Sequence, residues 1–285
     1  MSTYEQVAGW IPAFAGMTTS VLWPAMSNSL DLPFLTTSAF EIAREAGRIV
    51  MKARNEALRI AAKADGSPVT AADQAAEKYI VEALQKLTPD IPVVAEELVA
   101  SGHGPDVTGR PFWIVDPLDG TKDFIAGEPE FAIVIALVSG DAPVLGVIHG
   151  PAMEVTYAGA VGIGATRARN NKAEDITTRI APQDGITVLS SRRHGSEPEL
   201  EKYLGEFKIA AHKRMSSALK FGMLASGEAD IYPRFGRVMG WDIAAGHAIV
   251  LAAGGRMSTA TGEAINYRTA DFGIPSFIAR GRISG

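Results

Sequence analysis

The sequence FWIVDPLDGTKDFIAGEPEFAIVIALV, residues 112–138, places two aspartates, Asp116 and Asp119, three residues apart at the end of an apolar run. The apolar residues on either side of this turn predict two strands. Pro117 fixes the backbone between the two carboxylates, so both side chains can reach one point beyond the end of the strand. Together with the carbonyl of Leu118, which the turn would leave free, they form a set of hard oxygen ligands that suits Mg²⁺ or Mn²⁺.

The next two residues, Gly120 and Thr121, predict a turn or the start of a helix. Backbone N–H groups at such a place can hold a phosphate. A simpler interpretation of the same segment is that Asp116 ends a strand and Asp119 caps a helix. Asp-Pro and Asp-Gly are ordinary turn formers, so this segment alone leaves both interpretations open.

Four further acids change the balance between these interpretations. Glu96 and Glu97 stand at the end of the apolar run IPVVA, where adjacent acids are usually just solvated. Asp242 stands at a predicted helix start and Asp73 follows Thr70 by three residues, so both have an ordinary explanation as helix caps. Together these residues put acids at strand exits and helix starts, which is where α/β folds build their sites.

The first half of the chain predicts helices followed by an antiparallel set of strands. A capping box of Ser38 and Glu41 would open an amphipathic helix over residues 38–62. A second box, Thr70 with Asp73, would open a helix that runs to about residue 87. The predicted strands that follow cover residues 91–95, 112–115, 131–138, 144–150 and 154–160.

The second half predicts an alternation of strands and helices that begins after a polar stretch at 170–184. The basic residues in and beside that stretch, Arg167, Arg169, Lys172 and Arg179, are expected to be solvated side chains of a loop. Strands are predicted at 186–190 and 230–234, and helices near 197–204, 219–226 and 242–253. Gly254 would end the last helix.

These patterns together predict layered sheets and helices in two parts. Residues 1–34 are expected to form a poorly ordered extension, because their apolar residues lack a regular period. Residues 35–180 would form an α+β domain that carries the metal site, and residues 181–285 an α/β domain that completes it.

Composition excludes several classes of function for this chain of 285 residues. The net charge of −5 argues against a protein that binds nucleic-acid polymers nonspecifically, which would carry a basic stripe. The sequence has no cysteine, so it has neither disulfides nor a thiolate nucleophile, which agrees with an expected cytoplasmic location. No apolar run approaches the roughly 20 residues that span a bilayer, so membrane association is not predicted.

Two segments, WIVDPLDGTKDF with the preceding EE and GWDIAAGHAIVLAAGG, resemble the signatures of the inositol monophosphatase superfamily of Mg²⁺-dependent, lithium-sensitive phosphatases. The segments KADGSPVTAADQAAE, LSSRRH, SALKF and YPRFG are similar to one branch, the bacterial 3′(2′),5′-bisphosphate nucleotidases. The resemblance implies a layered αβαβα sandwich and hydrolysis of 3′-phosphoadenosine 5′-phosphate to AMP. It covers residues 40–255 in order.

The resemblance implies a role for each acid of the chain's two signatures. Two Mg²⁺ ions, or Mn²⁺ in their place, would be held by Glu96, Asp116, the carbonyl of Leu118, Asp119 and Asp242, with Asp116 bridging. A pair matching Asp73 and Thr121 would orient and deprotonate the attacking water, sometimes beside a third metal ion. Glu97 would support the ligands from behind, and Lys63 would lie near a mobile loop beside the site.

Substrate specificity depends on fewer signals. A nucleoside bisphosphate carries a second phosphate and therefore needs additional cations. The segments that resemble the branch offer Arg192, Lys220 and Arg234, in addition to Gly120 and Thr121 at the predicted turn.

Other functions remain open at this stage. A phosphatase of the same fold that acts on inositol monophosphate or another sugar phosphate is one alternative, and a non-catalytic sensor of metal and nucleotide is another. A third alternative is that all the acids are structural caps. The chain is expected to act as a monomer or a homodimer.

Overall fold

The computed structural model describes residues 30–54, 60–62, 68–170 and 172–282. Residues 1–29 of the predicted extension lie outside these ranges, as does Lys63. The first part contains, in order, α1 (Leu32–Arg54), β1 (Ile60–Ala62), β2 (Pro68–Thr70), α2 (Ala71–Leu87), β3 (Val93–Ala95), α3 (Glu96–Ala100), β4 (Phe112–Asp119), α4 (Thr121–Ile125), β5 (Ala132–Ser139), β6 (Ala142–Gly150), β7 (Val155–Ala160), β8 (Gly164–Arg169) and β9 (Lys172–Ile176). The second part contains β10 (Ile186–Ser191), α5 (Glu197–Leu204), β11 (Ile209–Met215), α6 (Leu219–Ala225), β12 (Ile231–Arg234), β13 (Val238–Met239), α7 (Gly240–Ala252), β14 (Arg256–Thr259), β15 (Gly273–Ile274) and β16 (Phe277–Arg280).

The larger sheet has seven strands in the order β3-β4-β5-β6-β7-β8-β9. Strand β3 runs parallel to β4, and each later neighbour is antiparallel. One face of the sheet packs on α1 and α2, where Phe40, Ile80, Trp113 and Ile135 belong to one buried apolar cluster. This arrangement agrees with the antiparallel N-terminal half that the sequence predicts.

The smaller sheet has five strands in the order β11-β10-β12-β16-β14, with β10 parallel to both of its neighbours. A second cluster joins Ile114 of the large sheet to Phe221 of α6, Ile249 of α7 and Phe277 of the small sheet, so these helices lie between the sheets. A third cluster packs α5 on the outer face of the small sheet. The αβαβα sandwich is thereby confirmed. The second cluster is continuous across residue 180, and the division into domains there stays a prediction.

Helix α7 lies unusually close to the large sheet. A Cβ atom added to Gly146 of β6 would lie 2.3 Å from the carbonyl oxygen of Ala245, and one added to Gly159 of β7 would lie 3.0 Å from the Cα atom of Ile249. Glycine at these positions therefore lets the backbones of strand and helix approach each other. The helix ends as predicted, with Gly254 in the left-handed region at φ +83°.

The predicted start of the first helix is wrong. The helix begins at Leu32, so it includes the last residues of the predicted extension, and Ser38 lies inside it. The Oδ1 atom of Asp31 accepts the N–H of Phe34 at 3.1 Å, so the cap is seven residues before the predicted one. Burial of Leu35 and Ala39 against the sheet carries the helix upstream of the Ser-x-x-Glu pattern. The helix ends at Arg54 instead of continuing to residue 62.

Nine of the sixteen strands in the described ranges were not predicted, β9 and β11 among them, and the proposed basic loop is wrong. Strand β9 occupies part of the polar stretch, and β11 forms an exposed edge. Arg167 pairs with Glu174 across β8 and β9, and Arg179 donates to both carboxylate oxygens of Asp230 at 2.8 and 2.7 Å. These two arginines therefore hold structure together instead of solvating a loop. None of the described helices is long and apolar enough to cross a membrane.

Candidate active site

Strand β4 delivers Asp116 to its end, where the side chain is only 3% exposed. The register with β5 shifts between Asp116 and Asp119, so the turn leaves the regular ladder. The Oδ1 atom of Asp116 accepts the N–H of Leu118 at 2.9 Å, which fixes one carboxylate oxygen within the turn. The carbonyl of Leu118 was expected to be free, yet it accepts the hydroxyl of Thr121 at 3.0 Å. Its second lone pair can still bind a cation.

The predicted acidic ligands share one buried electrostatic environment. Burial raises the pKa of Asp116 well above its usual value, and the charges of Glu96, Asp119 and Asp242 raise that pKa further. Burial also raises the pKa of Asp242, with Asp119 and Glu96 adding to it. Groups that repel one another in this way lie within electrostatic reach, so the structure brings together acids that are widely separated in the sequence.

The side chains as they stand do not form a closed coordination sphere. Within the described residues, no group of three or more His, Asp and Glu side chains is arranged to hold a metal ion. Backbone N–H groups engage one oxygen of each aspartate: Leu118 donates to Asp116, Ala218 to Asp119 and Met239 to Asp242. The donor set nevertheless suits a divalent cation, because it consists of buried or half-buried carboxylate oxygens whose mutual repulsion the cation would relieve.

A hydrogen-bonded pair, Asp73 and Thr121, lies beside these acids. The Oδ1 atom of Asp73 accepts the hydroxyl of Thr121 at 3.1 Å. Its Oδ2 atom accepts the N–H of Thr70 at 2.8 Å, as the predicted capping box requires. Asp73 therefore caps α2 with one oxygen and contacts Thr121 with the other, so its role as a cap does not exclude its predicted role at the site.

Gly120 makes the turn between β4 and α4 possible. Its φ of +95° lies in the left-handed region, which disfavours a side chain. A Cβ atom there would also lie 2.9 Å from the carbonyl oxygen of Glu130. The glycine thereby allows Thr121 to lie directly beneath the end of β4.

A small cavity of about 90 Å³ connects the acids to basic residues of the second half. Its lining includes Asp119, Asp242, His194, Lys220 and Arg234. The structure thus places two of the predicted substrate cations, Lys220 and Arg234, beside the predicted metal ligands.

The two cations differ in their surroundings. The Nζ atom of Lys220 donates to the carbonyl oxygens of Met215 and Ser217 at 3.1 and 2.5 Å, and burial lowers the pKa of this lysine to about 8. The Nε atom of Arg234 is buried and has no hydrogen-bond partner in the described part of the chain. Arg234 therefore has a buried N–H donor that no described residue engages.

Arg192, the third predicted substrate cation, already has acidic partners. It donates to Glu130 at 2.8 Å and lies 3.8 Å from Asp123, which also pairs with Arg193. The structure therefore does not bring Arg192 into the lining of the small cavity, and much of its charge is compensated.

Two residues at the site were missed from the sequence, His194 and Glu130. His194 lines the small cavity, and burial together with the charges of Arg234 and Lys122 lowers its pKa. The segment LSSRRH contains it, but the resemblance implies a role only for Arg192 of this segment. The Oε2 atom of Glu130 accepts the N–H of Ser216 at 2.7 Å, a contact that no local pattern indicates.

The segment from Met215 to Ala218 links several of these groups. Glu130 holds it through Ser216, and Ala218 donates its N–H to Asp119. Ser217 adopts a φ of +64°, a strained value for a residue with a side chain. Strain of this kind persists only where surrounding contacts enforce it, and it is common at functional sites.

A larger cavity of about 860 Å³ lies on the other side of the acids, between α2, α3 and the start of α7. Its lining includes Glu77, Glu96 and Glu97. Glu77 accepts the N–H of Glu97 at 2.8 Å, and burial raises its pKa to about 7, with the charges of Glu97 and Glu96 contributing. Glu97 thus follows Glu96 at the start of α3 with its backbone N–H held by Glu77, and its supporting role stays a prediction.

A layered sandwich with buried acids at a strand exit, next to a Thr–Asp pair, is the architecture of a class of phosphate-ester hydrolases. A solved structure of a Thermotoga maritima IMPase shares the fold with a TM-score of 0.69 and 27% identity, covering 85% of this chain and 90% of that one. The sequence model of the inositol monophosphatase family matches residues 31–282. The chain belongs to the inositol monophosphatase family, and it is a phosphatase.

Relatives within the family are more similar still. The chain is 40% identical over 229 residues to the 3′(2′),5′-bisphosphate nucleotidase CysQ of Escherichia coli O157:H7, which covers 80% of this chain and 91% of the relative. It is 37% identical over 231 residues to the CysQ of Buchnera aphidicola, covering 80% and 85%. The crystal structure of CysQ from Bacteroides thetaiotaomicron has a TM-score of 0.74 and 31% identity, covering 89% and 99%.

Proposed function

We propose that the chain hydrolyses the 3′-phosphate of 3′-phosphoadenosine 5′-phosphate, giving AMP and inorganic phosphate. The observation that carries the proposal is the cavity in which Asp119 and Asp242 face Lys220, Arg234 and His194. Cations beside acids that could hold a metal would suit a second phosphate, which a monophosphate lacks. The relatives named as bisphosphate nucleotidases support the same substrate.

We assign the metal site to the acids at the end of β4 and their neighbours. The residues that would hold Mg²⁺, two or three ions with Mn²⁺ as a substitute, are Glu96, Asp116, the carbonyl of Leu118, Asp119 and Asp242. Bound there, the metal would acidify a water and neutralise charge on the phosphoryl oxygens. Glu97 supports this set through the contact of its N–H with Glu77.

Asp73 and Thr121 would orient the attacking water. The Thr121 hydroxyl has its proton directed to Asp73 and Leu118, at 3.1 and 3.0 Å, so its oxygen lone pairs can accept a hydrogen bond from water. Asp73 is the base that would accept the Thr121 hydroxyl proton as Thr121 takes a proton from the water. Phosphoryl transfer depends mainly on positioning and charge neutralisation, which agrees with a chain that has no cysteine nucleophile.

The substrate's second phosphate would contact Arg234 and Lys220. Arg234 supplies the unpartnered Nε atom, whereas Lys220 supplies charge from beneath the Met215–Ala218 segment. Gly120 and Thr121 would position the transferred phosphate, and Arg192 would contribute from the rim. The substrate would be a small nucleoside bisphosphate and not a nucleic-acid polymer, and the volume of about 90 Å³ would hold one of its phosphates. A cytoplasmic location and a monomeric or homodimeric state stay predictions from the sequence.

The test is phosphate release with Mg²⁺ from three substrates in parallel: 3′-phosphoadenosine 5′-phosphate, inositol 1-phosphate and fructose 1,6-bisphosphate. We expect a preference of at least a hundredfold for the nucleotide, about 2.7 kcal/mol of discrimination. Arg234→Gln should remove much of that preference, whereas Arg256→Gln, at an exposed arginine of β14, should leave it intact.

Each rival function predicts a different result. A preference for inositol phosphate would contradict the proposed substrate and would leave the proposed metal site unaffected. Binding of the nucleotide without release of phosphate from any substrate would favour the sensor.

A further inference from the structure

Helix α3, the short helix that carries Glu96, begins without a capping side chain of its own. The residue at its N-cap position is Ala95, which has extended dihedral angles and makes no side-chain hydrogen bond. In many helices a Ser, Thr, Asp or Asn at this position accepts the N–H of the second or third helical residue. In α3 those residues are Glu97 and Leu98, so their N–H groups need an acceptor from another part of the chain.

Glu77 of α2 supplies that acceptor from 20 positions away. Its Oε2 atom accepts the N–H of Glu97 at 2.8 Å, and the N–H of Leu98 adds a second backbone interaction with the same carboxyl group. These are the two contacts that a polar side chain at the N-cap position would make. Glu77 therefore caps a helix to which it does not belong.

The burial of Glu77 agrees with this role. Its side chain is only 5% exposed, whereas Glu82 on the same helix is exposed. Burying a carboxyl group is unfavourable unless hydrogen bonds compensate for its lost contacts with water. The backbone N–H groups of α3 provide that compensation, so the position of Glu77 and the start of α3 depend on each other.

The start of α3 also sets the position of Glu96 relative to Asp116. Strand β3 runs parallel to β4, and Ala95 is in register with Val115. Glu96 and Asp116 are the next residues along the chain in each case, and neighbouring strands lie about 4.8 Å apart. A displacement of the first turn of α3 would therefore change the distance between two of the proposed metal ligands.

Helix α2 carries another group of the proposed site one turn before Glu77. Asp73 and Glu77 are four residues apart, so they lie on one face of the helix, and both are buried. Asp73 contacts Thr121, and Glu77 contacts the start of α3. One face of α2 thereby holds both the pair proposed to orient water and the helix that carries a proposed metal ligand.

We infer that Glu77 is a positioning residue for the metal site, which acts by capping α3 and so holding Glu96 in place. The inference rests on the proposed metal site, because holding Glu96 matters to the metal only if Glu96 is a ligand. Glu77 itself would touch neither the metal nor the substrate. Replacing a residue that orients metal ligands from behind typically costs about tenfold to a hundredfold in metal affinity or activity.

The test compares two replacements of Glu77 that separate the contact from the charge. Glu77→Gln keeps an oxygen at the same reach and loses the charge, whereas Glu77→Asp keeps the charge and shortens the side chain by a methylene group. Isothermal titration with Mg²⁺ measures the dissociation constant of the tightest binding event. We expect Glu77→Asp to weaken that event by about tenfold or more and Glu77→Gln to stay within about threefold of wild type. Glu82→Gln, at the exposed glutamate of the same helix, is the matched control and should bind Mg²⁺ as wild type does.

Thermal unfolding in chelator shows that each variant is folded before it is titrated. A cap with a merely structural role would change the Tm and leave the Mg²⁺ affinity of the folded protein unchanged, so two variants within threefold of wild type would overturn the inference. Loss of affinity in Glu77→Gln with retention in Glu77→Asp would show that the charge matters and not the cap. A tenfold loss in both would also contradict the inference, because glutamine keeps the acceptor.

Glu96→Gln separates a failure of this inference from a failure of the proposed metal site. If Glu96→Gln loses the tightest Mg²⁺ event and Glu77→Asp keeps it, the positioning role of Glu77 is wrong and the metal site is unaffected. If Glu96→Gln binds Mg²⁺ as wild type does, Glu96 is not a ligand, and both the proposed site and this inference are overturned.

Discussion

The hydroxyl of Thr121 donates to Asp73 at 3.1 Å and so joins the first turn of α4 to the first turn of α2, across 48 positions of the chain. Asp73 holds its own position through the N–H and hydroxyl of Thr70 at 2.8 and 2.5 Å. The pair is therefore fixed from both sides before any substrate binds. Preorganisation of this kind is what a water-activating pair requires.

Asp73→Asn should lower kcat by about a hundredfold to ten-thousandfold and change KM little, because it removes the proposed base without removing a substrate contact. Asparagine retains an oxygen that can accept the N–H of Thr70, so the cap of α2 should survive. Steady-state kinetics and thermal unfolding should be measured together. Thr70→Ser, which keeps the capping hydroxyl, is the control and should retain activity. A variant within tenfold of wild type would remove Asp73 from the catalytic role.

Glu130→Gln should raise KM for the bisphosphate by about tenfold, with a smaller effect on kcat. The carboxylate contacts Ser216 and Arg192 at 2.7 and 2.8 Å, and hydrogen bonds to charged groups contribute roughly 1.5–3 kcal/mol. Losing the charge should loosen the Met215–Ala218 segment that contacts Asp119. Glu128→Gln, at an exposed glutamate two residues away, is the matched control. Equal KM values in the two variants would show that Glu130 does not position this segment.

Asp242→Asn should stabilise the metal-free protein while abolishing its response to Mg²⁺. Asp119, Glu96 and Asp116 repel Asp242 in a buried setting, so neutralising it relieves repulsion. We expect an increase in Tm of about 2–4 °C in chelator, which corresponds to roughly 1 kcal/mol for a chain of this size. Wild type should show a Tm that rises with Mg²⁺ concentration, by mass action.

Asp175→Asn, on the exposed strand β9, is the control for that experiment and should keep both the wild-type Tm in chelator and the Mg²⁺ response. If Mg²⁺ raises the Tm of Asp242→Asn as much as that of wild type, Asp242 is not a ligand.

Local patterns predicted the parts of the site that are local. The turn from Asp116 to Gly120 and the box of Thr70 with Asp73 each depend on residues a few positions apart, and both occur as expected. The four residues of Ser38–Glu41 show that the same signal misleads when burial extends a helix beyond it.

Long-range contacts carry no such signal. Glu130 reaches Ser216 across 86 positions, and Asp119 reaches Ala218 across 99. These pairs form because two sheets and the helices between them pack in one way, which is a property of the whole core. Strand β11 was missed for a related reason: it is exposed on an edge, so its sequence lacks the alternation that marks a half-buried strand.

Stability should fall as pH decreases from 6.5 towards 4, in part because of two buried histidines. Burial lowers the pKa of His149 and of His247 to about 4, below the value of about 6.5 in an unfolded chain. Between those values the unfolded chain binds more protons, so the free energy of unfolding rises with pH and is lost as pH falls. Each histidine should contribute up to roughly 3 kcal/mol of this loss at pH 4.

Replacing one histidine should flatten that dependence. For His247→Gln, whose side chain can still hydrogen bond to Tyr267, urea unfolding at pH 7 and pH 4.5 should show a smaller difference than wild type. His103→Gln, at an exposed histidine, should show the full difference. If the difference in His247→Gln equals that of wild type, His247 is already protonated in the folded protein at pH 4.5.

Gly146→Ala should destabilise the protein by about 1–3 kcal/mol or more, because the new methyl group would meet backbone that cannot move aside. Its Cβ atom would lie 2.3 Å from the carbonyl oxygen of Ala245 and 2.6 Å from the Cα atom of that residue. Helix α7 also carries Asp242, so a helix forced away from β6 should weaken the Mg²⁺ response as well. Gly205→Ala, at the exposed end of α5, should stay within about 0.5 kcal/mol of wild type. Urea unfolding of both variants measures the difference, and equal free energies of unfolding would show that α7 can shift without cost.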